Sequence, residues 1–320
     1  GKKAIYSLID PGIRAPYTVQ SMINVQRSLG GAWMAEAGYI RTDGWNFPLS
    51  RPLASAFDRQ TGARPNPALG TPSGVYLTSE QTMVYDALQT SVRRRFDDDL
   101  GLGFHYTYSR GFAEQGGSLA SNFVNSDYFV TQDFFDPFYD RNPLSQEARH
   151  RISFDAIYQL PSPHGAVLSQ ILGGWQISGI LSARTGVPLR VTQPSGIPNS
   201  RPDLIGHDPV LDDYRDTRLY LDRSQFALVP VSSITTATLR PGDANPGLIR
   251  GPGNWTVNLS VTKGFRLTQT VRLDVRMDAF NAFNRINYNN PNTNITSPDF
   301  GRLLTSMPPR TAQLGARLSF

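Results

Sequence analysis

The chain has 320 residues, 31 Lys plus Arg against 26 Asp plus Glu, a formal charge of +5 and no Cys, which excludes disulfide scaffolds and Cys-ligated metal sites. It has no run of roughly 20 apolar residues, so it is not a polytopic helical membrane protein, and its aromatic content of 11% is too high for a disordered chain. The basic residues are dispersed, with no block longer than Arg93-Arg94-Arg95, so nucleic acid is not indicated as a partner.

The chain opens Gly1-Lys2-Lys3-Ala4, without the apolar core of a signal peptide, as expected of a cytosolic protein, a mature chain or a fragment. From residue 17 onward the dominant signal is period 2. Alternation over 17–28, 33–43, 84–96, 100–110, 148–160 and 173–185 predicts six strands with one apolar and one polar face. At 100–108 the apolar set is Leu100, Leu102, Phe104, Tyr106 and Tyr108; at 152–160 it is Ile152, Phe154, Ala156, Tyr158 and Leu160. The segment 84–96 is ambiguous, because Asp86 falls in phase with Leu88 and Val92. The uncharged stretch 156–183 reads as strand, turn, strand; Pro161, Pro163, His164, Gly165 and Gly173-Gly174 argue against a transmembrane helix.

Three later strands alternate more strictly. At 254–262, Trp255, Val257, Leu259 and Val261 oppose Asn254, Thr256, Asn258, Ser260 and Thr262. At 271–279, Val271, Leu273, Val275, Met277 and Ala279 oppose Arg272, Asp274, Arg276 and Asp278. At the C-terminus, Ala312, Leu314, Ala316, Leu318 and Phe320 oppose Thr311, Gln313, Gly315, Arg317 and Ser319. The resulting nine strands exceed the usual ~5–6 residues and match the ~9–11 that a tilted strand needs to cross a bilayer.

The connections alternate in length. Short ones fall near 29–32, 97–99, 161–172 and 264–270, and long ones near 44–82, 111–147, 193–253 and 285–309. Long structureless loops are rare in compact soluble domains, whereas short periplasmic turns alternating with long outside loops are the pattern of outer-membrane barrels. A soluble β-sandwich or propeller with insertions does not predict that alternation. The fold class expected is therefore all-β, an antiparallel transmembrane barrel. Backbone groups in lipid must pair within the protein, which requires closure, and charges are tolerable only on the inner face. Arg272, Asp274, Arg276 and Asp278 are thus lumen-facing candidates, expected to form cross-strand or plug-facing ion pairs rather than contact substrate. Trp33, Tyr39, Tyr106, Tyr108, Trp175, Trp255 and Phe320 lie near strand ends, as interfacial girdles require. Nine strands are odd in number, so residues 1–320 are expected to form the C-terminal portion of a longer barrel.

Three stretches resemble a known family. Residues 172–192, beginning Leu-Gly-Gly-Trp-Gln-Ile-Ser-Gly-Ile, resemble the "GGWQ-x-SGI…GxP" strand of Oar-like TonB-dependent outer-membrane receptors. Residues 276–288 resemble that family's "R-x-EAFNxFN" segment, with Asp278 where Glu is usual. Residues 300–320 resemble its closing strand. The resemblance implies a 22-stranded barrel, a plug inside it, and energy coupling through the TonB complex to take up a substrate that these residues do not name. The plug, TonB box and N-terminal domain are absent from the 320 residues, so the chain is expected to supply part of the barrel only. An outer-membrane barrel for adhesion or protein export is the alternative, and a soluble all-β binding domain a remoter one.

Leu314, Ala316, Leu318 and the terminal Phe320 resemble the signal read by the barrel-assembly machinery; an amphipathic edge strand can add to an exposed sheet edge. Asp133, Asp136 and Asp140 match no EF-hand spacing and are expected in a solvated loop with Phe134, Phe135, Phe138 and Tyr139 packed at the rim. Asp97-Asp98-Asp99 reads as a polar periplasmic turn. The histidines His105, His150, His164 and His207 show no metal-ligand spacing, and there is no G-x-S-x-G elbow. No metal, cofactor or catalytic activity is expected.

Overall fold

The computed structural model describes residues 5–53, 73–97, 99–114, 131–163, 171–197, 200–233 and 236–320. Asp98, His164 and Gly165 lie outside the described residues. The strands in chain order are β1 (Ile5–Ile9), β2 (Tyr17–Gly30), β3 (Trp33–Pro52), β4 (Ser73–Asp97), β5 (Leu100–Ala113), β6 (Asn142–Pro143), β7 (His150–Gln159), β8 (Trp175–Arg184), β9 (Asp203–Leu204), β10 (Phe226–Ala227), β11 (Asn254–Arg266), β12 (Arg272–Phe280) and β13 (Thr311–Ser319).

All nine strands expected from period 2 are present and follow one another across a single sheet in the order β13-β12-β11-β8-β7-β5-β4-β3-β2. Each neighbouring pair is antiparallel. The sheet has edges at β13 and β2. The registers keep the two faces apart. On the apolar side one row runs Val25, Ala37, Thr90, Tyr106, Ile152, Ala183, Trp255 through seven strands. A slip of one residue in any strand would bring a residue of the polar face into that row, so the alternation itself specifies the register. The short turn at 29–32 contains two glycines because Gly30 and Gly31 adopt φ of 99° and 56°.

Two features go beyond the expected pattern. Strands β3 and β4 run to 20 and 25 residues, and Leu49–Pro52 pairs with Val75–Thr78 well past the membrane-length portion. The phase is interrupted by register shifts between Gly44 and Leu49, so simple alternation cannot be followed there. Beside this extension β1 pairs parallel to β4, at Ile5–Ile9 against Ser73–Leu77.

The second feature corrects the expectation of long structureless loops. Segments from the three connections after β5, β8 and β12 fold together into a cap with its own core. Leu189, Val191, Tyr220, Leu221, Phe226, Ile249, Ile295, Phe300 and Leu303 pack there, with Phe226 and Phe300 edge to face at 5.6 Å. The cap is carried at the end of the sheet where β5, β8 and β12 finish and β7, β11 and β13 begin. It is held by short pairings such as β9 with β10 and by hydrogen bonds between distant segments, such as Tyr220 N to the Gly301 carbonyl, not by long strands.

Candidate functional site

On β12 the side chains alternate as expected, but the ion pairs do not cross strands. Arg272 Nε donates to Asp274 Oδ1 at 2.8 Å, and Arg276 Nε to Asp278 Oδ1 at 2.8 Å, each two residues along the same strand. The cross-strand neighbours of Arg276 and Asp278, Thr262 and Ser260 of β11 and Gly315 and Gln313 of β13, are uncharged, so for that pair the nearest opposite charge lies along the strand; Asp274 stands across from Arg317 of β13 but pairs with Arg272. The polar face continues around the sheet. Asn24 Nδ2 donates to Glu36 Oε1 at 2.6 Å, Arg93 reaches Glu36 at 3.3 Å, and His105 stands 3.6 Å from Asp155. Glu36, Ser91, Arg93 and His105 line a cavity of about 350 Å³. Gly103 admits this arrangement, since a Cβ there would lie 2.4 Å from Asp155 Oδ1. Sequence reading did not single out Glu36, Arg93 or Asp155. Their signal was their phase, opposite Ala35, Val92 and Phe154.

The ambiguous Asp86 is on the apolar side with Leu88 and Val92, midway along β4 and level with Arg110 towards the cap end of β5. Tyr39 Oη donates to it at 2.5 Å, and Arg41, itself paired with Asp43 at 2.7 Å, approaches it at 3.3 Å. A charge on the lipid-facing side costs little near the interface and about 2–4 kcal/mol at the midplane, so this cluster marks where hydrocarbon ends. At the opposite end of the sheet Lys263, also on the apolar side, is buried. Its Nζ donates to the Gly173 carbonyl and sits 5.5 Å from the Trp175 ring and 5.0 Å from the Phe265 ring. A lysine with its stem on apolar surface and its ammonium turned to an interfacial carbonyl is a snorkelling anchor.

The apolar face extends into β13, where Leu314, Ala316 and Leu318 lie opposite Met277, Val275 and Leu273. Phe320 follows, 95% exposed.

The acidic cluster is only in part the expected solvated loop: Asp136 is exposed, but Asp133 and Asp140 are buried. Asp140 is buried and paired with Arg201 at 2.7 Å, while Phe135 and Phe138 are exposed. Asp133 caps the Phe135 N–H at 2.9 Å and Asp136 caps Tyr139 at the start of a short 3₁₀ turn. Gln132 links the pair to the rest of the cap, donating to Asp140 Oδ1 and to the Gly242 carbonyl and accepting from Arg201 N. Glu147, also buried, accepts from Arg250 at 2.6 Å and from the Gly111 N–H at 3.1 Å, which ties the cap to the end of β5. No group of three His, Cys, Asp or Glu placed to hold a metal occurs among the described residues.

Long antiparallel strands, one face apolar and the other ion-paired, with folded connections at one end and short turns at the other, define an outer-membrane β-barrel protein. The profile of the outer membrane beta barrel domain family matches residues 2–313, and the chain belongs to that family. It resides in the bacterial outer membrane. No curated protein matches it. Among solved structures, the outer membrane transporter YddB of Escherichia coli is similar over 99% of this chain and 34% of its own, at 12% identity and a TM-score of 0.56, and supports the fold. Pseudomonas aeruginosa FpvA, solved with pyoverdines, and the Escherichia coli ferric-catecholate import receptor Fiu match 94% and 97% of this chain, at 12% and 11% identity and TM-scores of 0.47. The chain spans 27%, 34% and 28% of FpvA, YddB and Fiu. The transmembrane β-barrel expected from the sequence is thus met.

Proposed function

We propose that the chain supplies strands and outer loops of a barrel that takes up a solute across the outer membrane, coupled to TonB through a plug. The observation that carries this reading is the polar face. Asn24, Glu36, Arg93, His105, Asp155 and the two arginine–aspartate pairs of β12 form a charged, hydrogen-bonding surface across the sheet, suited to water, a plug or a polar solute rather than lipid. In this reading Arg272, Asp274, Arg276 and Asp278 line the lumen. The folded cap is the element that meets solute arriving from outside. The strand β13, with Leu314, Ala316, Leu318 and Phe320 on its apolar side, is the edge presented to the barrel-assembly machinery. The "GGWQ" and "AFNAFN" stretches point to the Oar-like branch of these receptors.

Whole cells with and without the gene, in backgrounds with and without functional TonB, test the proposal. Accumulation of the solute should require both. Accumulation that persists without TonB would overturn energy coupling. Surface adhesion or protein release with no solute uptake would replace transport by the alternative.

A further inference from the structure

We propose that a cavity at the outer ends of β7, β8 and β11 binds a phosphate-bearing lipid headgroup of the outer leaflet. The cavity has a volume of about 440 Å³. Part of its lining is the cross-strand row Ile152, Ala183, Trp255, which belongs to the apolar face of the sheet. It therefore opens on the side that meets lipid, not on the polar bore. Its height follows from strand length. The strands β7 and β8 have 10 residues each, about one bilayer crossing, and end here at His150 and Arg184.

Two arginines reach the cavity from the cap. Arg285, just past β12, places its guanidinium 5.2 Å from the Trp255 ring centroid. Its Nε is buried without a hydrogen-bond partner among the described residues. Arg215 lines the cavity from a short helix and is exposed. Among the described residues no carboxylate lines the cavity. A buried N–H with no acceptor is costly, and a guanidinium fork matches a phosphate bidentately. The same residues favour a lipid over a free anion. Trp255 is an interfacial residue by position, Phe283 lies 6.4 Å from it and is exposed, and Ile152 and Ala183 continue downward as a track for an acyl chain.

The test uses protein extracted from outer membranes into detergent, exchanged into nanodiscs of phosphatidylcholine with a small fraction of phosphatidic acid, which carries a phosphate monoester. Retained lipid is counted by native mass spectrometry. The expected result is one phosphatidic acid retained per chain, no retention of phosphatidylcholine, and at least a tenfold loss of retention in Arg215→Ala/Arg285→Ala. Arg285 is half-buried, so Arg215→Glu, at an exposed position, reports separately from folding and should also weaken retention. Unchanged retention in both variants would overturn the proposal. So would equal retention of phosphatidylcholine, or displacement of the lipid by millimolar inorganic phosphate, which would make this a free-anion site.

Discussion

Arg201 Nη1 and Asp140 Oδ1 meet at 2.7 Å inside the cap, with 1% and 5% of their side chains exposed. Two charges removed this far from water need complete hydrogen bonding, and Gln132 and the Gly242 carbonyl supply much of it. Removing one partner strands the other, at a cost of about 3–5 kcal/mol. Arg201→Ala should therefore open the cap while leaving the sheet intact. Amide exchange should show lost protection around 131–147 and 200–250 and unchanged protection in β11 and β12. Unchanged protection in the cap would show that the pair does not hold it.

The absence of cysteine makes β12 a clean reporter of its two faces. Single cysteines at Leu273, Val275 and Met277 should react with a membrane-partitioning maleimide and resist a charged one. Cysteines at Asp274, Arg276 and Asp278 should show the opposite preference. Equal labelling by the charged reagent at all six positions would mean that the apolar face does not meet lipid. The energetic counterpart is Leu259→Arg, which places a charge on the lipid side and should cost about 2–4 kcal/mol in bilayer unfolding titrations. Arg276→Leu removes only a solvent-accessible pair and should cost no more than about 1 kcal/mol.

Tyr220 gives the cap a dependence on alkaline pH. Burial pushes its hydroxyl from 10.0 up to about 12, and the hydroxyl donates to the Arg250 carbonyl at 2.7 Å. The folded cap holds this proton more tightly than the unfolded chain does. The stabilisation is complete below pH 10 and is lost as pH rises through 12. Tyr220→Phe should flatten cap stability between those values, measured by amide exchange or by urea melts in detergent. A slope unaltered by the substitution would assign the dependence to another group.

Gly301 joins two distant parts of the cap. Its φ is +77°, its carbonyl accepts from Tyr220 N at 2.7 Å, and a Cβ would stand 2.3 Å from the Leu221 carbonyl oxygen. Gly301→Ala combines a left-handed backbone penalty of about 1–2 kcal/mol with that clash. Thermal melts of the cap should fall by several degrees; an unchanged melt would show that the two segments separate without consequence.

The exposed edge of β13 gives an assembly prediction. Phe320→Ala should lower the yield of heat-modifiable barrel in outer membranes several-fold, with Ser319→Ala as a neutral control. Equal yields would remove Phe320 from the assembly signal.

Period 2 is a local property, and it was enough for the sheet. The apolar set Val271, Leu273, Val275, Met277 and the polar set Arg272, Asp274, Arg276, Asp278 specify a strand, its two faces and its register, because a one-residue slip exchanges lipid-facing and polar side chains. Alternating short and long connections then pointed to a barrel, and three motif stretches to a resemblance with TonB-dependent receptors. The cap was not legible in this way. Gln132 meets Gly242 110 residues away and Arg201 69 residues away, and no local period records such contacts. Asp140 among aromatics reads as a solvated rim until Arg201 is known to reach it. Glu36, Arg93, His105 and Asp155 stand in ordinary polar phase on separate strands, and only strand pairing gathers them into one surface. The nearest-neighbour chemistry of the chain determined its strands and faces; the long-range closure of the three connections, which only the tertiary structure records, decided what stands above them.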